Sequence, residues 1–167
     1  MEISIYKLQE NDAQELFIFE KNNRLFFEQM VPSRGEDYYK FETFQERHKE
    51  LLAEQQEQKS IFYLIRDNMD NIVGRINLVD IDATNNSAEI GYRVGEEYGG
   101  NGIGARALKL LLETEGTIKK LKEKTTTHNI ASQRVLERNG FKQVSISDEK
   151  FEMNGQELRF VSYILER

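Results

Sequence analysis

Four glycines within residues 99–104 constrain this chain more than any other feature of its sequence. They follow a strand-like segment, 88–94, and open directly into an amphipathic helical pattern over 102–113. Glycine permits positive φ angles and lets a ligand approach the backbone closely. The free N–H groups at the start of a helix attract anions. The segment therefore predicts a binding site for a phosphate or pyrophosphate group.

Other interpretations of these glycines are a P-loop, a Rossmann fingerprint and a plain turn that binds nothing. A P-loop is excluded because no Gly-Lys-Ser/Thr follows. Gly100-x-Gly102-x-x-Ala105 matches the relaxed dinucleotide fingerprint. The next strand, however, ends at Thr127 without the acidic residue that a Rossmann fold requires. A nucleotide-binding oxidoreductase, which would bind NAD and not coenzyme A, stays an alternative.

The hydrophobic pattern predicts a mixed α/β fold in one domain over residues 1–167. The predicted strands cover 3–8, 61–66, 72–81, 88–94, 121–127, 141–148 and 157–165, with the last two joined near Asn154-Gly155. The predicted helices cover 12–30 with an interruption near Asn22-Asn23, 37–58, 102–113 and 129–139. The segment Asp12-Ala13-Gln14-Glu15 has capping-box spacing, which predicts a helix start at Asp12.

Composition excludes several kinds of chemistry. The chain has no cysteine and only two histidines, His48 and His128. It therefore offers no disulfide, no thiolate metal site and no covalent acyl-cysteine, and we expect no metal. The formal net charge of -6 argues against nucleic acid and favours cationic partners at long range. No apolar run is long enough to span a membrane or resembles a signal peptide, so we expect a cytoplasmic protein.

Three segments together carry a family resemblance: 88–92 (AEIGY), 98–104 (YGGNGIG) and 129–141 (NIASQRVLERNGF). They resemble the GNAT superfamily of acetyltransferases, and in particular its ribosomal-protein-alanine N-acetyltransferase (Rim-type) branch. The resemblance spans nearly the whole chain. It implies a GNAT-like acyl-CoA N-acyltransferase fold, in which a mixed β-sheet with helices on both faces splays open in the middle and acetyl-CoA lies in the split.

The resemblance also assigns roles to individual residues. It implies cofactor contacts at Tyr92, Arg93 and Val94 for pantetheine, at Gly99, Gly100, Asn101, Gly102, Ile103 and Gly104 for pyrophosphate, and at Asn129. Ser132 stands where this branch often places a hydroxyl near the leaving thiolate, so it is both a cofactor contact and a catalytic candidate.

The chain departs from the family pattern at two positions. Gly99 stands where the loop usually begins with Gln or Arg, which removes a side-chain contact and keeps the backbone amides. Arg159 stands where many relatives carry an acidic residue, which bears on the identity of the acceptor.

Acyl transfer from a thioester requires a neutral amine, a stabilised oxyanion and a protonated leaving thiolate. Glu89, on the strand before the loop, is our candidate carboxylate for the amine, and it could instead pair with a cation on a sheet face. Ser132 could instead be a solvent-facing residue of a first helical turn. Asn129 could be only an N-cap, and Tyr92 could be only a core residue.

These residues predict an acetyl-CoA-dependent N-acetyltransferase that acts directly on a primary amine, with a peptide N-terminus favoured and a small amine possible. The alternative is a non-catalytic acyl-CoA-binding or partner-binding module on the same fold. The sequence leaves the acceptor amine open, and it fits either a monomer or a homodimer.

Overall fold

The computed structural model describes residues 1–167. The strands are β1 Ile3–Lys7, β2 Ile61–Asp67, β3 Ile72–Asp82, β4 Ser87–Val94, β5 Lys120–Thr126, β6 Lys142–Ile146, β7 Phe151–Met153, β8 Gln156–Leu158 and β9 Phe160–Glu166. The helices are α1 Ala13–Asn22, α2 Arg24–Glu28, α3 Phe41–Gln56, α4 Ile103–Thr114 and α5 Ile130–Arg138. Short 3₁₀ turns cover Glu10–Asp12, Glu36–Tyr39 and Glu96–Tyr98.

Seven strands form one sheet in the order β1-β2-β3-β4-β5-β9-β6, and all its neighbours are antiparallel except β4 and β5. The parallel β4–β5 pairing covers only three residue pairs and ends at Glu89 with Lys122. Beyond Glu89, β4 continues to Val94 paired with β3 alone. The sheet therefore splits between β4 and β5, and the predicted splayed α/β fold is confirmed.

Helices cover both faces of the sheet because strand residues alternate between them. On one face, α4 and α5 pack on a core that includes Ile90, Leu108 and Leu136. On the other face, α1, α2 and α3 pack on a second core that includes Leu16 and Phe44. Each fully buried aliphatic or aromatic side chain of this kind contributes about 1.5–3 kcal/mol of transfer free energy. β4 lies between the two layers of helices, and its side chains Ala88, Ile90, Tyr92 and Val94 pack on the first core.

Most predicted elements are confirmed, including the break between α1 and α2 at Asn23. The predicted helix start is confirmed, since Asp12 is the N-cap residue of α1. Its carboxylate makes no capping bond to α1, however, and accepts from the backbone N–H of Gln9 at 2.8 Å in the preceding 3₁₀ turn. None of the helices is both long enough and apolar enough to cross a membrane.

The predicted pairing of the two long C-terminal strands is confirmed, since β6 and β9 pair antiparallel on either side of Asn154-Gly155, but a shorter hairpin is inserted between them. Asn154 and Gly155, with φ of 53° and 76°, do form a tight turn, but this turn joins the short strands β7 and β8. The long strands β6 and β9 pair with each other outside this small hairpin. The Asn154 side chain donates to the carbonyl oxygens of Glu28 and Gln29, so the hairpin tip docks on the end of α2.

Candidate active site

The glycine loop starts α4 with two left-handed residues. Gly100 has φ +80° and Gly102, the N-cap of α4, has φ +70°. A Cβ atom at either position would meet nothing within 4 Å, so these side chains are excluded by backbone strain and not by crowding. Gly99 has an ordinary φ of -63°, and a Cβ there would come no nearer than 3.4 Å to another atom. Gly99 is therefore free to carry a side chain.

The amides of residues 100–105 donate to no acceptor in the protein. They comprise the loop and the first turn of α4, where the helix dipole adds positive potential. Arg106, in the same turn, donates to the carbonyl oxygen of Asn101 at 3.0 Å and fixes the loop from outside. The loop thus has the donors and the open space that a pyrophosphate requires.

Gly104 has a different reason to be glycine. A Cβ at this position would lie 3.0 Å from Cε2 of Tyr92, so the Tyr92 ring packs directly on the backbone of α4. Burial raises the pKa of the Tyr92 phenol to about 12, although a contact with the Ser132 hydroxyl lowers it in part. The phenol therefore keeps its proton at neutral pH.

Helix α5 begins with a cap made by Asn129, whose Oδ1 accepts from the N–H of Ser132 at 3.1 Å. Ser132 is only 8% exposed, so it is not the solvent-facing residue that we considered as an alternative. The Asn129 cap and the Tyr92 contact fix the position of Ser132 at the edge of the split. The cap leaves the Asn129 side-chain N–H₂ free for a ligand.

Glu89 lies at the point where the two halves of the sheet separate. It is the last residue of β4 that pairs with β5, and its half-buried side chain makes no ion pair. Along β4, Glu89 shares a face with Arg93, which contacts α1 and α2. Tyr92 points to the opposite face and contacts α4. Glu89 and Ser132 therefore lie on opposite faces of the sheet.

The predicted cofactor residues divide into backbone and side-chain positions. Tyr92, Gly104 and Ser132 come together on the α4–α5 face. The side chains of Arg93, Val94 and Ile103 point away, since Arg93 reaches Glu20 and the other two pack in the core. Only the backbone of these three residues can meet a ligand in the split. No group of three or more His, Cys, Asp and Glu side chains is placed to hold a metal ion.

Sequence reasoning missed a buried charge cluster on the α1–α3 side. Glu20 is fully buried and accepts from Arg75 at 2.6 Å and from Arg93 at 3.2 Å. Burial alone would raise the pKa of the Glu20 carboxyl, but the two guanidinium groups lower it below its ordinary value. Because Arg75 and Arg93 are 55 and 73 positions from Glu20 in the chain, no local sequence pattern indicates the cluster.

Sequence reasoning also missed Glu123 of β5, on the same face of the strand as Leu121. Its side chain is buried and its Oε2 has no hydrogen-bond partner. Burial raises the pKa of Glu123 well above its ordinary value, which favours the neutral acid. The sequence signal that could have revealed Glu123 is its position: it is an acidic residue between Leu121 and Thr125, at the inward-facing positions of β5.

A surface groove of about 460 Å³ lies between α1 and the 3₁₀ turn Glu96–Tyr98. Its walls include Glu15 and Glu97 but none of the predicted site residues. The groove therefore stands apart from the split.

Comparison with known proteins gives one family. The family model described as the acetyltransferase (GNAT) domain matches residues 3–142. The probable N-acetyltransferase YjcK of Bacillus subtilis (strain 168) is 29% identical over 160 residues, which cover 92% of this chain and 87% of YjcK.

Solved structures match the fold at lower identity. Ribosomal-protein-S5-alanine acetyltransferase from Vibrio fischeri superposes with a TM-score of 0.89 at 18% identity, covering 99% of this chain and 93% of that chain. RimL, a ribosomal L7/L12 alpha-N-protein acetyltransferase in complex with coenzyme A, gives 0.88 at 21% identity, covering 98% and 93%. The microcin C7 self-immunity acetyltransferase MccE, in complex with acetyl-CoA and AMP, gives 0.87 at 22% identity, covering 99% and 93%.

Proposed function

We infer that this chain, which belongs to the acetyltransferase (GNAT) domain family and is an acetyl-CoA-dependent N-acetyltransferase, acetylates its acceptor amine within the split between β4 and β5. We propose that residues 1–167 form one such domain and that the acetyl group passes directly to the amine. The observation that carries this proposal is the combination of free loop amides with an unpaired β4 edge. A cytoplasmic location and a monomeric or homodimeric state stay predictions.

For the cofactor, we propose that the loop over residues 99–104 holds the pyrophosphate through the free amides of Gly100, Asn101, Gly102, Ile103 and Gly104, while the Gly99 amide donates to the Glu96 carbonyl oxygen. The free backbone edge at Tyr92, Arg93 and Val94 would hold the pantetheine arm, with the Asn129 side chain as a further donor. Bound there, acetyl-CoA supplies an acetyl group activated as a thioester. The lack of cysteine is consistent with transfer that does not pass through an acyl-cysteine.

For the chemistry, we propose that Glu89 and Ser132 act on opposite partners of the reaction. The amine nitrogen forms a bond to the thioester carbonyl carbon, the carbon–sulfur bond breaks, and the amine loses one proton while the sulfur gains one. Glu89 would take the amine proton, directly or through water, and Ser132 would donate to the sulfur. Their positions on opposite faces of the sheet beside the split support this division.

For the acceptor, we propose a peptide N-terminus, with a small amine as the other possibility. An α-amino group has a pKa near 8, so its deprotonation at pH 7 costs only about 1 kcal/mol. A lysine amine costs roughly 4.6 kcal/mol. A half-buried carboxylate such as Glu89 therefore suffices for an α-amino group. Several structural neighbours are named for acetylating ribosomal proteins, which favours this class.

The test is a measurement of both binding and turnover with the purified chain. We expect acetyl-CoA, and not NAD or ATP, to raise the melting temperature, because a ligand that binds only the folded state stabilises it. We also expect acetylation of a panel of peptide N-termini and small amines. Absence of coenzyme A binding at millimolar concentration would refute the proposal. Binding without turnover on any amine would support the non-catalytic alternative.

A further inference from the structure

A cavity of about 180 Å³ lies on the α1–α3 face of the sheet. Arg75 and Asn77 of β3 line it, as do Arg47 and His48 of α3. Arg34 and Tyr38, in the segment that connects α2 to α3, complete its polar lining. Three arginines in one small cavity are unusual for a chain whose net charge is -6.

The positive charge of this region exceeds its negative charge. Glu20 is the one carboxylate paired with Arg75 and Arg93, while Arg34 forms no ion pair and donates instead to the Tyr38 hydroxyl at 3.2 Å. Of the three arginines that line the cavity, Arg47 pairs with Glu50 at 2.9 Å and Arg75 pairs with Glu20, which Arg93 also shares. The Arg34 charge is therefore left without a carboxylate partner. Burial lowers the pKa of Arg93; Glu20 opposes that shift, whereas Arg34 and Arg75 add to it.

The cavity also contains polar atoms that the protein itself does not satisfy. His48 is 2% exposed, and its Nε2 lies 2.8 Å from the Gln9 carbonyl oxygen. Its Nδ1 is buried without a partner, and so is Oδ1 of Asn77. Buried polar atoms are nearly always hydrogen-bonded, so such a pair points to a ligand or ordered water in this cavity.

The floor of the cavity lies one strand away from the split. Asn77 pairs with Gly91 of β4, and Arg75 pairs with Arg93. The opposite edge of β4 faces the split, where Glu89 stands. Neighbouring strands are about 4.8 Å apart and β4 lies between the β3 floor and the split, so a group in the cavity lies roughly 10 Å from an amine held in the split.

From this arrangement we propose that the acceptor carries a carboxylate or phosphate group, which the guanidinium groups of Arg34 and Arg75 bind in this cavity. The inference rests on the proposed acetyltransferase function and narrows its substrate class. An extended peptide advances at most about 3.3–3.6 Å per residue. The second or third residue from the reacting amine, if it is Asp, Glu or phosphoserine, therefore reaches the cavity.

The cavity would prefer an anionic group, although the net charge of the whole molecule favours cations. The acidic surface favours cations at long range, but the cavity beside the split would repel a polyamine or a lysine-rich peptide. Arginine is suited to this task because its planar fork binds carboxylate and phosphate with two parallel hydrogen bonds. Asn77 Oδ1 can in turn accept an N–H of the acceptor backbone.

The test compares peptides that differ only at the second and third residues, after a common N-terminal alanine. One peptide carries two glutamates there, a second two glutamines, a third two lysines and a fourth two phosphoserines. We expect kcat/KM for the glutamate peptide to exceed that for the glutamine peptide at least tenfold, mainly through KM. Comparison of the glutamate and phosphoserine peptides identifies which anion the cavity prefers.

Variants of the exposed Arg34 separate the cavity from general charge effects without threatening the fold. Arg34→Gln should reduce the glutamate-to-glutamine ratio below about threefold, and Arg34→Lys should restore part of it. Arg138→Gln, which removes an equal charge from the exposed end of α5, should leave the ratio at its wild-type value.

Two results would overturn the inference while leaving the acetyltransferase function intact. One is equal kcat/KM for the glutamate and glutamine peptides. The other is a glutamate preference that Arg34→Gln does not reduce. Acetylation of no peptide at all would instead contradict the proposed peptide acceptor, and the inference would fail with it.

Discussion

The α4–α5 side of the split is assembled from residues close together in the chain, whereas the α1–α3 side is assembled from residues far apart. On the first side, consecutive amides of one loop and the cap of one helix form the site. On the second side, Glu20 meets Arg75 and Arg93 across 55 and 73 positions. Backbone groups therefore dominate the side that we assign to the cofactor, and side-chain charge dominates the side that we assign to the acceptor.

The largest expected effect tests the α4–α5 side. Ser132→Ala should lower kcat about 10²-fold with little change in coenzyme A affinity, because thiolate protonation matters only as the bond breaks. Ser132 is 8% exposed, so water replaces its hydroxyl poorly. Single-turnover rates and a separate coenzyme A titration measure the two quantities.

A matched variant shows whether the neighbouring phenol of Tyr92 protonates the thiolate instead of Ser132. Tyr92→Phe removes the phenol hydroxyl that lies near Ser132. A wild-type chemical rate in Ser132→Ala, together with a slow Tyr92→Phe, would transfer the role to Tyr92.

The next effect tests how far the α1–α3 side depends on charge. Glu20→Gln should destabilise the fold by about 3–5 kcal/mol, because it leaves the buried guanidinium of Arg75 and the half-buried one of Arg93 without their carboxylate. Denaturant unfolding measures this free energy. Glu50→Gln, which breaks an exposed pair with Arg47, is the control and should shift the midpoint little.

The Glu20 pairs also predict a dependence on pH. The pKa of Glu20 lies below its ordinary value of 4.5 in the folded state. Its stabilisation is therefore fully present above that value and is lost as the pH falls through the folded-state pKa. Wild-type stability that does not fall faster with acid than that of Glu20→Gln would contradict the assignment.

Glu89 stands on the boundary between the two sides. Glu89→Gln should lower the rate by about 10-fold to 10²-fold, most strongly at low pH where the amine is protonated. A rise in pH should restore part of the rate, because free amine then forms without the carboxylate. Loss of the same factor at every pH would mean that Glu89 is structural. Pre-steady-state rates from mildly acidic to mildly alkaline pH decide between these outcomes.

A smaller effect tests the backbone character of the glycine loop. Gly102→Val should weaken coenzyme A binding at least about tenfold, because valine disfavours φ of +70° and its side chain would project over the free amides. Calorimetry measures the affinity, and circular dichroism checks the fold. Gly116→Val, at the other end of α4 and without a positive φ, should bind normally. Unchanged coenzyme A affinity in a folded Gly102→Val variant would show that the loop is only a turn and does not bind the cofactor.

The smallest effect comes from adding a charged side chain to the glycine loop, which now offers only backbone groups to the cofactor. Gly99→Arg should strengthen coenzyme A binding about twofold to fivefold, because position 99 has ordinary φ and room for a side chain. The added guanidinium would lie near the proposed pyrophosphate. The gain should shrink as ionic strength rises, and weaker binding at low salt would show that the side chain obstructs the loop.

The sequence predicted the fold well wherever local patterns determine structure. The β2–β3 hairpin, α4 after its glycines and α5 after Asn129 follow from periodicity and capping. The small hairpin at Asn154 shows the limit, since the turn was recognised but its partner strands were not. Turn chemistry fixes the two central residues, whereas the choice between β7–β8 and β6–β9 depends on packing far along the chain.

The site divides in the same way. The amides of residues 100–105 and the Ser132 cap could be anticipated because they depend on neighbouring residues. Arg75 and Asn77 gave no local signal, because they are two isolated polar residues in a strand whose other inward positions are apolar. Their importance depends on Glu20 and His48, which the fold brings to them from other elements.

The end of the β4–β5 pairing at Glu89 gives this sheet four edges instead of two. Besides β1 and β6, the inner margins of β4 and β5 carry backbone groups without a strand partner. Such edges are templates for addition of a further strand, from a ligand or from another chain. If the pantetheine arm occupies the inner edge of β4, the co-substrate also protects the enzyme from self-association through that edge. The resistance of the enzyme to aggregation in a cell would then rise with the concentration of acetyl-CoA.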